Sequence, residues 1–229
     1  MAMQNHYQMN GRAVAHGRKL PELPSVLPSW WPNWADQTVV IVGSGPSATD
    51  EPLDRYRDDA KFILVNNSYK LAPWGDVVYG CDVRWWDYHG GCSNFTGLKL
   101  SQDDDVKMRP SWGVHRVCAD HSSDRIEMQR PGYIGWGGNS GFQALNLAAQ
   151  FCFSKICLVG FNMTYDHGEH WHNPHPWELP AKVANVARHR RAVDNAALTL
   201  EKLGIDVVNC TRNSALKNYR LSTLEREFR

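Results

Sequence analysis

The chain has 229 residues, enough for one domain with an appendage, so a single core is the default. Its 25 Lys and Arg against 24 Asp and Glu leave a formal net charge of +1, which excludes a chain-wide field steering it toward nucleic acid or an anionic membrane. Cys81, Cys92, Cys118, Cys152, Cys157 and Cys210 are dispersed without a CxxC pair, and in a chain this long they read as reduced, mostly buried thiols rather than as a disulfide framework.

The opening stretch, MAMQNHYQMNGRAVAHGRK, lacks the apolar block of a signal peptide. No apolar run approaches the roughly 20 residues of a membrane helix, so a cytoplasmic protein is expected. Residues 1–36 carry Pro21, Pro24, Pro28 and Pro32 without a sustained period, the pattern of an extended arm. Its SWWPNW stretch, 29–34, is expected to dock on the body or on a neighbouring copy, the latter making a homo-oligomer. Residues 37–229 form the domain. Ten tryptophans are many for this length; they read either as half-buried core or as an aromatic wall for a planar ligand.

From Thr38 short apolar runs alternate with helical stretches. TVVIVG (38–43), KFILVNN (61–67) and DVVYGCD (76–82) predict buried strands, with weaker candidates at 98–101 and 114–118. NSGFQALNLAAQF (139–151) has helical spacing behind an Asn139 or Ser140 cap. KICLVGF (155–161) predicts a strand, residues 181–204 a long amphipathic helix ended by Gly204, and IDVVNC (205–210) a last strand. Strands separated by helices predict an α/β sandwich around a largely parallel sheet.

Such sheets bind ligands beyond the carboxyl ends of their strands. Polar groups recur there: GSGPS after the first strand, Asn66, Asn67 and Ser68 after the second, Cys81 and Asp82 after the third, and Asn162 after KICLVG. A full GxGxxG fingerprint fails, with Ala48 at the third glycine, Pro46 and Ser47 stiffening the turn, and VNNS rather than an acid closing the second strand. A nicotinamide cofactor is therefore not expected.

In order, VVIVGSGPS, ILVNNSY, GGNSGFQALNLAAQFCFSKICLVGFNM and IDVVNCTRNSALKNY resemble the Rossmann-like family of the bacterial CMP-sialic acid-dependent sialyltransferases, glycosyltransferase family 42, and related uncharacterised phage proteins. The resemblance spans roughly residues 38–220. It implies a metal-independent transferase that takes a nucleotide sugar of the cytidine type as co-substrate, needs no further cofactor, and works in the host cytoplasm if phage-encoded. It places Gly43, Ser44, Gly45, Pro46 and Ser47 on the phosphate and sugar, and Asn66 or Asn67 on the ribose or base. Asn139, Ser140 and Gly141 match the segment that opens a helix against the nucleotide, with Asn162 completing the site. Successive N–H groups in a glycine turn form an anion nest, to which Ser44 adds a hydroxyl. Two positions depart from the family: GWGG, with Trp136, replaces the arginine before the serine–glycine pair, and Asn162 stands for an aspartate.

TYDHGEHWHNPHP (164–176) holds His167, His170, His172 and His175, with Asp166 and Glu169. By resemblance a histidine of this loop takes the acceptor proton, His175 first and His170 second, while Tyr165 assists the departing phosphate; histidine's ordinary proton affinity suits the task. The residues by themselves also allow a metal site of His and carboxylate ligands or a polar lid bonded to backbone and water. RHRR (188–191) reads as a solvated face or as a contact to a donor phosphate, and QDDDVK (102–107) as a solvated loop or a cation site. Asp82 either orients an acceptor or caps the helix containing VRWWDYH. Two other classes stand beside the transferase. One is an ATP- and magnesium-dependent pyrophosphokinase of the pterin type, which would draw carboxylates from Asp82 or QDDD. The other is a non-catalytic phage accessory or assembly protein that keeps the fold.

Overall fold

The computed structural model describes residues 27–166, 168–175, 177 and 183–229. Eight strands form one sheet in which every neighbouring pair is parallel. They are β1 Thr38–Val42, β2 Lys61–Val65, β3 Val77–Tyr79, β4 Leu98–Ser101, β5 Val114–Arg116, β8 Lys155–Val159, β9 Asp206–Asn209 and β10 Arg220–Leu221. A separate parallel pair, β6 Cys118–Asp120 and β7 Tyr133–Gly135, lies between β5 and β8 in the chain. The helices are α1 Val83–Tyr88, α2 Ser140–Gln150, α3 Val183–Lys202 and α4 Leu224–Glu227.

This is the Rossmann-like α/β architecture that the sequence predicts, with each anticipated strand present, most of them shorter than expected. The β-branched runs are continuous because both faces of the sheet are covered. Val39, Ile41, Ile63, Ile156 and Leu158 face α2 and α3, where Phe142, Leu145, Val193 and Leu200 meet them. Their alternates Val40, Val42, Phe62, Leu64 and Val159 pack with Leu53, Tyr56, Trp85 and Trp86 on the other face. The connection after β1 differs from a usual βα unit: 3-10 turns at Pro46–Asp50 and Leu53–Tyr56 replace a long helix, so the GSGPS turn does not lead into a helix N-terminus of its own.

Sheet order is β10-β9-β8-β1-β2-β3-β4-β5. The chain winds outward from β1 to β5, then returns to lay β8 on the opposite side of β1, so the connections diverge where β1 and β8 end. The described part of the Pro/Trp stretch lies on the body. Trp31 and Trp34 set their rings edge-on to Phe151, and Asp36 N–H donates to the Cys152 carbonyl; Pro21 and Pro24 lie outside the described residues. None of the six cysteines forms a disulfide, and Cys92, Cys152, Cys157 and Cys210 are buried.

One buried polar row on α2 was not anticipated. Gln143, Asn146 and Gln150 lie on one helical face and bond the excursion that carries β6 and β7. Asn146, wholly buried, accepts from Glu127 N–H and Gly135 N–H at 2.9 Å each and donates to the Glu127 carbonyl at 2.8 Å. Asn146→Ala would strand these buried backbone groups. It is expected to cost about 3 kcal/mol, seen in thermal unfolding as a fall in Tm on the order of 10 °C.

Candidate functional site

The ends of β1 and β8 approach so closely that only glycines fit. Gly43 N–H donates to the Val159 carbonyl at 2.8 Å, and Gly45 N–H to the Gly160 carbonyl at 2.9 Å. A Cβ on Gly43 would stand 2.8 Å from the Gly160 oxygen, and one on Gly160 2.6 Å from the Gly43 oxygen and 2.9 Å from the Ala48 Cβ. The small residue at position 48 is thus a packing requirement against β8. Ser47 N–H donates to Asn162 Oδ1 and Ala48 N–H to the Gly45 carbonyl. Pro46 has no N–H, so Ser44 keeps the one amide of the turn without a partner among the described residues. The expected anion nest is therefore reduced to a single donor, and the glycines serve mainly to close the two strands. The Ser44 hydroxyl donates to the Val65 carbonyl at 3.2 Å.

Above this junction lies a cavity of about 320 Å³. Of the predicted residues it gathers Gly43, Ser44, Gly45, Asn66, Asn139, Ser140, Gly141, Asn162, Tyr165 and His170. Asn66 reaches it through a left-handed backbone, φ 50°, which Asn tolerates better than most side chains. At the start of α2, Asn139 caps the helix by accepting from Phe142 N–H at 2.9 Å. Ser140 and Gly141 keep N–H groups that meet no acceptor among the described residues, as the first turn of a helix must unless a side chain or ligand intervenes. Gly141 leaves room for the Phe161 ring, 3.0 Å from where its Cβ would stand.

Five predicted residues are not on the cavity wall. Pro46 begins the 3-10 turn. Ser47 bonds Asn162 through its hydroxyl at 2.8 Å. Asn67 is buried, its Oδ1 accepting from Trp85 Nε1 at 2.8 Å and from His89 Nε2 at 2.9 Å. Asp82 caps α1 by accepting from Arg84 N–H on Oδ1, as its capping reading expects. His175, 8% exposed, stacks on Trp177 at 4.8 Å and 9° and meets the edges of Tyr88 and His89. Asn162 does line the cavity, but its side chain is committed: Oδ1 to Ser47, Nδ2 to the Arg212 carbonyl at 3.0 Å. It staples three loops rather than presenting its amide to a ligand.

The histidine loop crosses the GSGPS turn because Trp171 holds it there, N–H to the Ser44 carbonyl at 3.1 Å and Nε1 to the Ser68 hydroxyl at 3.3 Å. His170 thereby reaches the cavity. Its Nε2 lies 3.8 Å from Glu169 Oε1, too far for a direct hydrogen bond. Its Nδ1 is buried without a hydrogen-bond partner among the described residues. Burial, then Glu169, raises the proton affinity of Tyr165, keeping its phenol a donor at neutral pH. Burial pushes the Cys81 thiol up, against a hydrogen bond with Ser140. His167 and Pro176 lie outside the described residues; among those described, no group of three or more His, Cys, Asp or Glu is placed to hold a metal ion.

The far end of the loop rests on α1 through rings: His172 to His175 at 5.3 Å, and His175 to His89 at 5.8 Å. His89 donates from Nε2 to Asn67 and takes the Tyr69 hydroxyl on Nδ1 at 3.2 Å, a neutral tautomer. Burial, then Lys70, His175 and His172, lowers its pKa from 6.5 to about 4. A released imidazole protonates near 6.5, so the loop's packing is at full strength above pH 6.5 and is lost as the pH falls toward 4. Amide exchange at Gly168 and Trp171, corrected for intrinsic rates, should therefore accelerate by about ten-fold between pH 7.5 and 5. In His89→Gln that pH dependence should vanish.

Sequence reasoning missed Phe161 and Val186 on the cavity wall, and it weighed His189 only as part of the RHRR run, as a solvated face or a donor-phosphate contact. His189 was legible in principle: Ala192, Val193, Ala196 and Leu200 are buried at helical spacing, and the stripe extended one turn back reaches 189. Two of the three acids of QDDDVK are engaged elsewhere. Asp103 accepts from Val83 N–H and Asp105 N–H, and Asp104 pairs with Lys107 and Arg116.

Fold and site together define a Rossmann-like α/β protein with a cavity at the switch point of its parallel sheet. No family model, curated protein or solved structure matches the chain, so the resemblance to the sialyltransferase family rests on the four sequence blocks alone. No helix among the described residues is long and apolar enough to cross a membrane.

Proposed function

We propose that the cavity binds a mononucleotide-sized ligand, a nucleotide sugar of the cytidine type, and that the protein transfers the sugar to an acceptor hydroxyl without a metal. The observation that carries this reading is the convergence of the β1, β2 and β8 ends, the open N–H groups of α2 and the histidine loop on one cavity. Its volume lies at the lower end of the roughly 300–1,000 Å³ typical of ligand sites, suited to one nucleotide rather than two.

In this mechanism the acceptor oxygen attacks the anomeric carbon as the bond from that carbon to the phosphate oxygen breaks. His170, which lines the cavity, takes the acceptor proton in place of the His175 expected from the sequence, and the Tyr165 hydroxyl donates a hydrogen bond to the leaving phosphate. The geometry favours this over the pyrophosphokinase, because Asp82, Asp103 and Asp104 are bonded to protein groups and none of them lines the cavity.

A thermal-shift series with CMP, CDP, UDP, ATP with magnesium, and NAD tests the reading through mass action. Stabilisation by CMP or CDP without metal is expected. A magnesium-dependent ATP shift would transfer support to the kinase, and no shift with any of the five would leave the accessory-protein reading.

A further inference from the structure

We propose that His189 and Arg188 of α3 form a phosphate subsite at the cavity, one that takes up a proton when a dianionic phosphate binds. The larger ligand rests on the nucleotide reading above, but the subsite is testable without it.

The helix itself puts these residues there. Ala192, Val193, Ala196 and Leu200 are buried against the body, and one turn earlier the same face carries His189 and Val186 to the cavity wall. Neither ring nitrogen of His189 has a hydrogen-bond partner among the described residues, which sets it apart from a core histidine held by the fold. Its neighbour Arg188 occupies the space over Gly138, where any side chain would collide with the guanidinium. Gly138 also lines the cavity and leads into the open N–H groups of Ser140 and Gly141. Arg188 bonds Asp124 through one nitrogen, Nη2, at 3.0 and 3.2 Å, with about 40% of each side chain exposed, so the pair is screened by solvent and the guanidinium keeps further N–H donors to offer.

Burial, then Arg188, disfavours the His189 cation, with Asp124 opposing. The other titratable groups around it are His170, Glu169, Tyr165 and Cys81, which share the cavity. A doubly charged phosphate reverses the balance, since an anion at hydrogen-bond distance favours imidazolium. Arg188 and protonated His189 then match its two charges.

The test is the protonation of His189 followed by imidazole NMR in the whole chain, with and without inorganic phosphate, then with CMP and with cytidine. Saturating phosphate should move the midpoint upward by about one pH unit. Arg188→Gln should weaken phosphate binding by about five-fold or more, as expected for loss of one charge-assisted contact. At pH 6.5 CMP should bind about ten-fold tighter than cytidine, a gap that His189→Gln narrows, with circular dichroism confirming that both variants fold. If phosphate leaves His189 unmoved while CMP and cytidine bind equally, the subsite is wrong and the nucleotide reading stands. If phosphate moves His189 but neither CMP nor cytidine binds, the subsite stands and the nucleotide reading fails.

Discussion

Gly160→Ala is expected to lower stability by about 4 kcal/mol and to abolish ligand binding at the cavity, whereas Gly113→Ala should cost only about 1 kcal/mol. Both glycines have left-handed backbones, φ 70° and 65°, so both substitutions carry the same conformational penalty. The difference is space. Nothing lies within 4 Å of a Cβ at 113, while one at 160 meets the Gly43 oxygen at 2.6 Å and the Ala48 Cβ at 2.9 Å. Neither neighbour can yield cheaply, since one is backbone and the other sits on the turn that Asn162 staples. The ends of β1 and β8 would have to part, taking with them the floor of the cavity. Equal urea-unfolding losses for the two variants would show that the strand junction is looser than described.

His170→Ala is expected to lower the rate of sugar transfer, or of donor hydrolysis with water as acceptor, by 10²–10⁴-fold, the usual range for loss of a general base. Nucleotide affinity should change by no more than about two-fold, because Ser44, Asn66 and the start of α2 are untouched. His175→Ala should do something different. Its ring is a packing element between Trp177, Tyr88 and His89, so its loss should loosen the loop and raise KM. A rate loss confined to His175→Ala, with His170→Ala near normal, would restore the assignment made from the sequence.

The contrast between these two histidines shows where the sequence stops being legible. The strands could be read because parallel strands covered on both faces need unbroken apolar runs, as TVVIV and KICLV are. Their polar ends could be read because open parallel sheets bind at their carboxyl edges. What could not be read was which of two adjacent candidates faces the ligand. Asn66 rather than Asn67 lines the cavity because Asn66 is left-handed and Asn67 is claimed by Trp85 and His89, residues some twenty positions away. Asn162 is spent on Ser47, 115 positions away. His170 is delivered by the Trp171 anchors on Ser44 and Ser68, contacts with no local signature. The RHRR run reads as a solvated face on charge alone, yet the period of the buried residues after it turns His189 inward.

The central claim is that one nucleotide sits over the β1–β8 junction against the start of α2. The most direct measurement is backbone amide NMR during a CMP titration. The largest shifts are expected at Ser44, Ser140 and Gly141, amides without partners among the described residues, and at Asn66, with Gly43 and Gly45 moving far less because their N–H groups are already bonded to the Val159 and Gly160 carbonyls. Shifts concentrated instead along the groove between α3 and the β9–β10 edge, near Asn195, Glu201 and Arg220, with the junction silent, would contradict it.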